Sequence, residues 1–233
     1  MRLNRLAAVW LLCGGATAAA AQEVSFTRIE GRAAYGHGIL GDTPEWHGLR
    51  VTDADGRVVE LALPAEHIFE DVAPRVAELD GDAGLEIVVV ESRFDAGAAL
   101  AIYEYTGDEI RLEARTPWFG RRNRWLAPVG IADLDGDGRI EIAYVETPHI
   151  GGTLRVWRLD GELVEVAAGF GHSNHRIGQD FISGGIVQCP SGPAMVTADA
   201  GWRTGLLTFL DSAGGLTSEP IPLPTGILPT TCP

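Results

Sequence analysis

The sequence predicts an all-β fold. One element, alternating strand, tight turn, alternating strand, recurs four times, and no segment keeps a helical period over three turns. The copies begin at Leu49 (LRVTDADGRVVEL), Leu100 (LAIYEYTGDEIRL), Leu154 (LRVWRLDGELVEV) and Leu206 (LLTFLDSAGGLTS), at intervals of 51, 54 and 52 residues. Asp55-Gly56, Thr106-Gly107 and Asp160-Gly161 sit between runs of period two, the signature of a β-hairpin.

A second repeat precedes these hairpins. Ala77–Ile87 (AELDGDAGLEI) returns 55 residues later as Ala132–Ile142 (ADLDGDGRIEI). Each unit of about 50 residues then holds four short strands. A buried inner strand enters an acidic or polar turn, and a second inner strand follows (Ile87–Glu91, Ile142–Glu146, Met195–Asp199). After a loop comes the outer hairpin. Nearly apolar inner strands and alternating outer ones describe the four-stranded antiparallel blade of a small β-propeller. Four repeats fit approximately residues 24–66, 69–117, 124–169 and 176–223. The C-terminal tail either latches the ring or contributes with the N-terminus to a fifth blade.

The chain has 233 residues, 45% hydrophobic, with a formal charge of −14 and no Lys. An acidic chain repels phosphate backbones, so nucleic acid is not the expected partner. No apolar run after the N-terminus is long enough to span a bilayer. Met1–Arg5 is basic, Leu6–Ala16 is apolar and Ala19–Ala21 is small, the layout of a secretory signal cleaved after Ala21. That leaves residues 22–233 as one domain in the periplasm or outside the cell. There Cys189 and Cys232 read as a disulfide, the alternative being two buried thiols.

Asp133, Asp135, Asp137 and Glu141 form D-x-D-G-D-G-x-x-E between two strands. Alternate carboxylates turn inward when the chain curls, and Gly136 and Gly138 permit the curl. Hard oxygen ligands in such a loop favour Ca²⁺, with the Arg139 carbonyl in the backbone-ligand slot. The alternative is a solvated acidic turn. The stretches Val129–Val145 and Arg75–Val90 resemble the FG-GAP/VCBS-type repeat family, whose best-known member is the propeller of integrin α-chains. The resemblance implies a propeller in which the acidic loop joins the first two strands of a blade and binds Ca²⁺ through Asp133, Asp135, Asp137, Glu141 and the Arg139 carbonyl. The earlier copy departs from the pattern, with Glu78 for the leading Asp and Ala83 for a Gly. It still supplies Glu78, Asp80, Asp82 and Glu86, with Gly84 in the carbonyl slot.

On this topology, loops entering each blade and loops between its second and third strands share one end. They hold His47, His67, His149, His172 and His175, with Arg93, Arg121, Arg122, Arg124, Arg176 and Arg203, and Trp46, Trp118, Trp125 and Trp202. Arg and aromatic residues dominate binding hot spots, so a protein, peptide or glycan partner is expected there. The bland alternative is that the Trp residues pack between blades and the Arg residues balance charge. No Gly-x-Ser-x-Gly, His-Glu-x-x-His or phosphate loop is present. The expectation is a Ca²⁺-stabilised binding module. The alternatives are a hydrolase or lyase using His172 and His175, and a purely structural envelope component.

Overall fold

The computed structural model describes residues 23–82 and 84–233. The expected targeting segment and Ala83 lie outside them. Seventeen strands form four antiparallel sheets and, among the described residues, no helix. The first sheet is β1 (Glu23–Thr27), β2 (Gly48–Thr52) and β3 (Val58–Ala62). The second contains β4 (His67–Phe69), β5 (Arg75–Ala77), β6 (Leu85–Arg93), β7 (Gly97–Tyr105) and β8 (Ile110–Arg115). The third is β9 (Leu126–Ala132), β10 (Glu141–Glu146), β11 (Thr153–Leu159) and β12 (Leu163–Phe170). The fourth comprises β13 (His172–Ser173), β14 (Gly185–Cys189), β15 (Gly192–Asp199), β16 (Thr204–Leu210) and β17 (Leu216–Pro222). Each sheet is an up-and-down meander, the blade of a propeller.

Period-two side-chain alternation builds the stack. On β6, Ile87 and Val89 face the first sheet while Val88 and Val90 face the third. On β10, Ile142 and Tyr144 face the second sheet, and Ala143 and Val145 face the fourth. Inner strands buried on both faces must be apolar throughout, as VVV and IAYV are. The ends of the stack are finished differently. Opposite Leu49 and Val51, the first sheet shows solvent a polar face that carries the Arg50–Glu60 pair. The fourth sheet buries Val187, Val196 and Leu207 under Leu223 and Leu228 of the tail. Cys189 and Cys232 are disulfide-bonded with Cα atoms 5.2 Å apart, so the tail latches this blade and forms no fifth one.

Two departures from four regular blades matter for function. The first sheet has three strands, and its β1–β2 loop is long: Ile39 and Leu40 drop into the core between the second and third sheets. The innermost strands of the second and fourth sheets are also broken. β4 and β5 both pair with β6, and β13 and β14 both pair with β15. At the first break the Asp71 carboxylate accepts the Val90 amide at 2.9 Å, in place of a strand partner. At the second, Asn174 donates to the carbonyls of Ala127 and Pro128, both at 3.1 Å. No helix among the described residues is long and apolar enough to cross a membrane.

Candidate functional sites at the two ends of the stack

The meander puts the hairpin turns and the acidic loops at one end, here called lower, and the remaining connections at the upper end. The two lower acidic loops fold alike. In the third sheet Asp133 accepts the amides of Gly136 and Gly138, at 2.8 and 3.0 Å, and both glycines have positive φ. Asp135 accepts the Asp137 amide at 3.1 Å, and Asp137 accepts that of Arg139 at 2.9 Å. In the second sheet Glu78 takes the Gly81 amide at 2.7 Å, Asp80 that of Asp82 at 3.0 Å, and Asp82 that of Gly84 at 2.5 Å. Glu141 and Glu86 close the loops identically: each accepts the amide of a buried leucine, Leu134 or Leu79, at 2.8 Å.

What lies inside the loops differs. The Arg158 guanidinium enters the third-sheet loop, with Nε donating to Glu141 Oε1 at 2.6 Å and one terminal nitrogen 3.2 Å from both Asp135 and Asp137. Oxygens of Asp133, Asp135 and Glu141 do converge within 4.8 Å, but two of these carboxylates already hold Arg158. The second-sheet loop contains no such cation. Oxygens of Glu78, Asp80 and Glu86 converge equally closely, and Glu86, 0% exposed, keeps Oε1 without any partner. Burial, followed by the charges of Glu78 and Asp80, pushes the Glu86 carboxyl up to about 7. Nearby, Glu113 also has a buried, partnerless oxygen. Burial and then Asp80 and Glu104 raise it to about 7.

At the upper end the expected Arg, His and Trp side chains do gather, in three groups. Trp118 lies between Arg93 and Arg115, their guanidinium carbons 5.1 and 4.3 Å from its ring centre, and edge-on to His67. His67 is bonded at 2.5 Å to Glu91, a buried carboxylate that also accepts from Tyr103 at 3.0 Å. Arg122 covers the rings of Tyr35 and Phe94 and donates to the Tyr35 carbonyl at 2.6 Å. Arg176 stacks on Trp202 at 4.1 Å, and Trp202 donates to Ser173 at 2.9 Å. Arg121 and Arg203 are exposed, and Arg203 lies 3.9 Å from Asp199.

Other expected members of this face are built into its support. His47 and Trp46 pack against the core of the first two sheets, and the Ile29 amide donates to His47 Nδ1 at 3.3 Å. His172 and His175 are buried, so neither offers a ring to solvent. His172 bonds Thr197 at 2.9 Å, and burial lowers it to about 4. His175 meets His149 at 2.9 Å and the Gln179 carbonyl at 3.0 Å. Burial, reinforced by His175, holds His149 down to about 4, so both rings are neutral at pH 7. Trp125 is packed against both histidines and donates to the Glu70 carbonyl at 2.8 Å.

Trp125 and His149 line a cavity of about 220 Å³ together with His37, Ile39, Asn123, Arg124, Thr147, Pro148, Ile150 and Ile177. At this end large apolar side chains face solvent, among them Ile150 (63% exposed), Phe170 (85%), Ile177 (72%) and Phe181 (51%). The three non-glycine residues with left-handed backbone among the described residues are Asn123, Thr147 and Trp202, all in upper loops. Such costly conformations concentrate at functional sites.

Sequence reasoning missed His37, Tyr35 and Glu70. Glu70 accepts from His37 Nδ1 at 2.8 Å and from Ser92 at 2.7 Å, a contact made by the break between β4 and β5. A lone histidine in a glycine-rich loop carries no spacing that reveals it. Arg158 did leave a signal. Aligning the hairpins on Leu100 and Leu154 sets Glu104 opposite Arg158, an inversion of charge at one repeat position.

Comparison with known proteins gives one family and a remote structural likeness. No curated protein matches the sequence. Among solved structures, Porphyromonas gingivalis dipeptidyl peptidase 4 aligns with 13% identity and a TM-score of 0.39, over 86% of this chain and 27% of that one. The family described as FG-GAP-like repeat matches residues 78–144. The matched stretch holds both acidic loops and strands β6 to β9.

Proposed function

We propose that this chain is an exported interaction module whose upper end receives a protein partner and whose second-sheet acidic loop holds a structural Ca²⁺. The observation that carries the binding reading is the exposure of Ile150 and Ile177, which line the same cavity as Trp125 and His149. Large apolar side chains around a concave floor suit burial against a protein surface. The stacked Arg–Trp and Arg–Tyr pairs at the same end supply a polar rim. A signal-like N-terminus and a disulfide support export.

For Ca²⁺, the donors that would hold it are Glu78, Asp80, Asp82 and Glu86. The partnerless, buried Glu86 oxygen is the structural reason to place a cation there. Bound Ca²⁺ would offset the clustered negative charge and fix the turn between β5 and β6.

Ile150→Glu and Ile177→Glu should each abolish capture of partners from a secreted-protein extract, while Val58→Glu, at the lower hairpin of the first sheet, should not. Equal capture by all three would overturn the upper-end assignment. Added Ca²⁺ should raise the melting temperature over that in EDTA, and the rise should vanish in Glu86→Gln. An unchanged melt would leave the loop an acidic turn.

A second reading, a hydrolase or lyase, rests on Glu70. Its carboxylate orients His37 beside the cavity as a general base is oriented in hydrolytic sites. Activity against ester or glycoside panels that is lost in His37→Gln would favour it.

A further inference from the structure

We propose that Arg158 is the built-in cation of the third-sheet loop, so that the loop with the better Ca²⁺ motif is the one that does not take the metal. The stoichiometry argued below rests on the reading of the second-sheet loop as a Ca²⁺ site. The Arg158 assignment itself does not.

The two loops are the same structure with one position changed. Glu141 on β10 pairs with Arg158 on β11, and Glu86 on β6 pairs with Glu104 on β7. In the third sheet, therefore, the strand next to the loop points a guanidinium at its centre. In the second sheet the paired position carries another carboxylate, Glu104. Arg158 is 10% exposed at its side chain and reaches three loop acids, Asp135, Asp137 and Glu141. Glu141 is fully buried, and both its oxygens are occupied, one by Arg158 and one by the Leu134 amide. A planar fork of donors satisfies converging carboxylates without a metal. A Ca²⁺ ion would have to displace that fork from a buried position and leave the guanidinium unpaired.

The second-sheet loop lacks this arrangement. Glu104 is turned to the exposed Arg111, which donates to it at 2.8 Å, and no basic side chain reaches Glu86. The Glu86 and Glu113 oxygens that remain unpartnered are the complement of what Arg158 supplies one repeat later. Repeat duplication followed by a charge change at one hairpin position would have left one loop dependent on an external cation and the other independent of it.

The test is titration of the mature protein with CaCl₂ by calorimetry, comparing wild type, Glu86→Gln, Asp135→Asn and Arg158→Met. The expected result is one Ca²⁺ per chain in wild type and in Asp135→Asn, none in Glu86→Gln and two in Arg158→Met. Two ions in wild type with one lost in Asp135→Asn would overturn the proposal, because Arg158 would then yield to the metal. One ion in Arg158→Met, lost on adding Glu86→Gln, would also overturn it and leave the second-sheet reading intact. No ion in wild type but one in Arg158→Met would uphold Arg158 and defeat the second-sheet site. Should Arg158→Met fail to fold without Ca²⁺, melting of Asp135→Ala decides. A guanidinium-held loop loses the same number of degrees in EDTA and in Ca²⁺, whereas a metal-held loop loses more in Ca²⁺.

Discussion

His172 shows how one buried side chain ties this fold to pH. Its ring lies under the upper face, hydrogen-bonded to Thr197, and burial lowers it to about 4 from an ordinary value of 6.5. Between those values the unfolded chain binds a proton that the folded chain refuses. Stability is therefore complete above about pH 6.5 and falls as pH drops toward 4, by up to about 3 kcal/mol from this residue. His149 pulls in the same direction. Urea unfolding at pH 7 and pH 5 should show the loss, and His172→Gln should reduce it. An unchanged slope in that variant would place the titration elsewhere. Histidines held neutral also explain why this end, rich in His in the sequence, presents less charge than its composition suggests.

Among the elements, the inner strands were legible because both their faces are buried, which leaves only apolar runs such as VVV and IAYV. The hairpins were legible because their turns need residues that accept positive φ, and Gly56, Gly107 and Gly161 all adopt it. The breaks in the innermost strands were not legible. Asp71 and Asn174 satisfy strand amides and carbonyls with side chains, so local sequence there looks like loop, and nothing local says that the strand resumes. The tail is the other element fixed from a distance. Its disulfide spans 43 residues, and in the chain-entropy picture reduction should cost roughly 4 kcal/mol. The melt with and without reductant measures this. Accelerated exchange confined to residues 223–233 and β14 is expected, whereas equal loosening of the second sheet would contradict the latch.

Across the whole molecule, three hydrophobic layers join the four blades in series, and the first and fourth blades communicate through loops. The Gly178 amide donates to the Ile39 carbonyl at 3.3 Å. Gly41 packs so closely on Gly178 that a Cβ there would lie 2.8 Å from its carbonyl oxygen. Tyr35 holds the same loop to the second sheet: it stacks on Phe94, lies under Arg122 and accepts the Asn123 amide at 2.7 Å. Tyr35→Ala removes a side chain that is 2% exposed and should cost about 3–5 kcal/mol. Hydrogen exchange should quicken over residues 36–46 and 119–124 while β6 and β10 stay protected. Uniform loosening would mean that the loop is part of the core rather than a strap across it.

By itself the sequence determined the blades, their order and their acidic loops, because those follow from side-chain period, turn chemistry and self-similarity, all of which are local. It also indicated which end would collect Arg, His and Trp, since an antiparallel meander assigns every connection to one end or the other. Only the tertiary structure decided which of those side chains reach solvent and which act as supports, because burial depends on what is packed above. It alone showed that Arg158 enters one acidic loop while the buried Glu86 oxygen of the other has no partner. The D-x-D-G motif describes the ring of carboxylates, while the charge at its centre comes from the neighbouring strand, through a register that pairs Glu141 with Arg158 and Glu86 with Glu104.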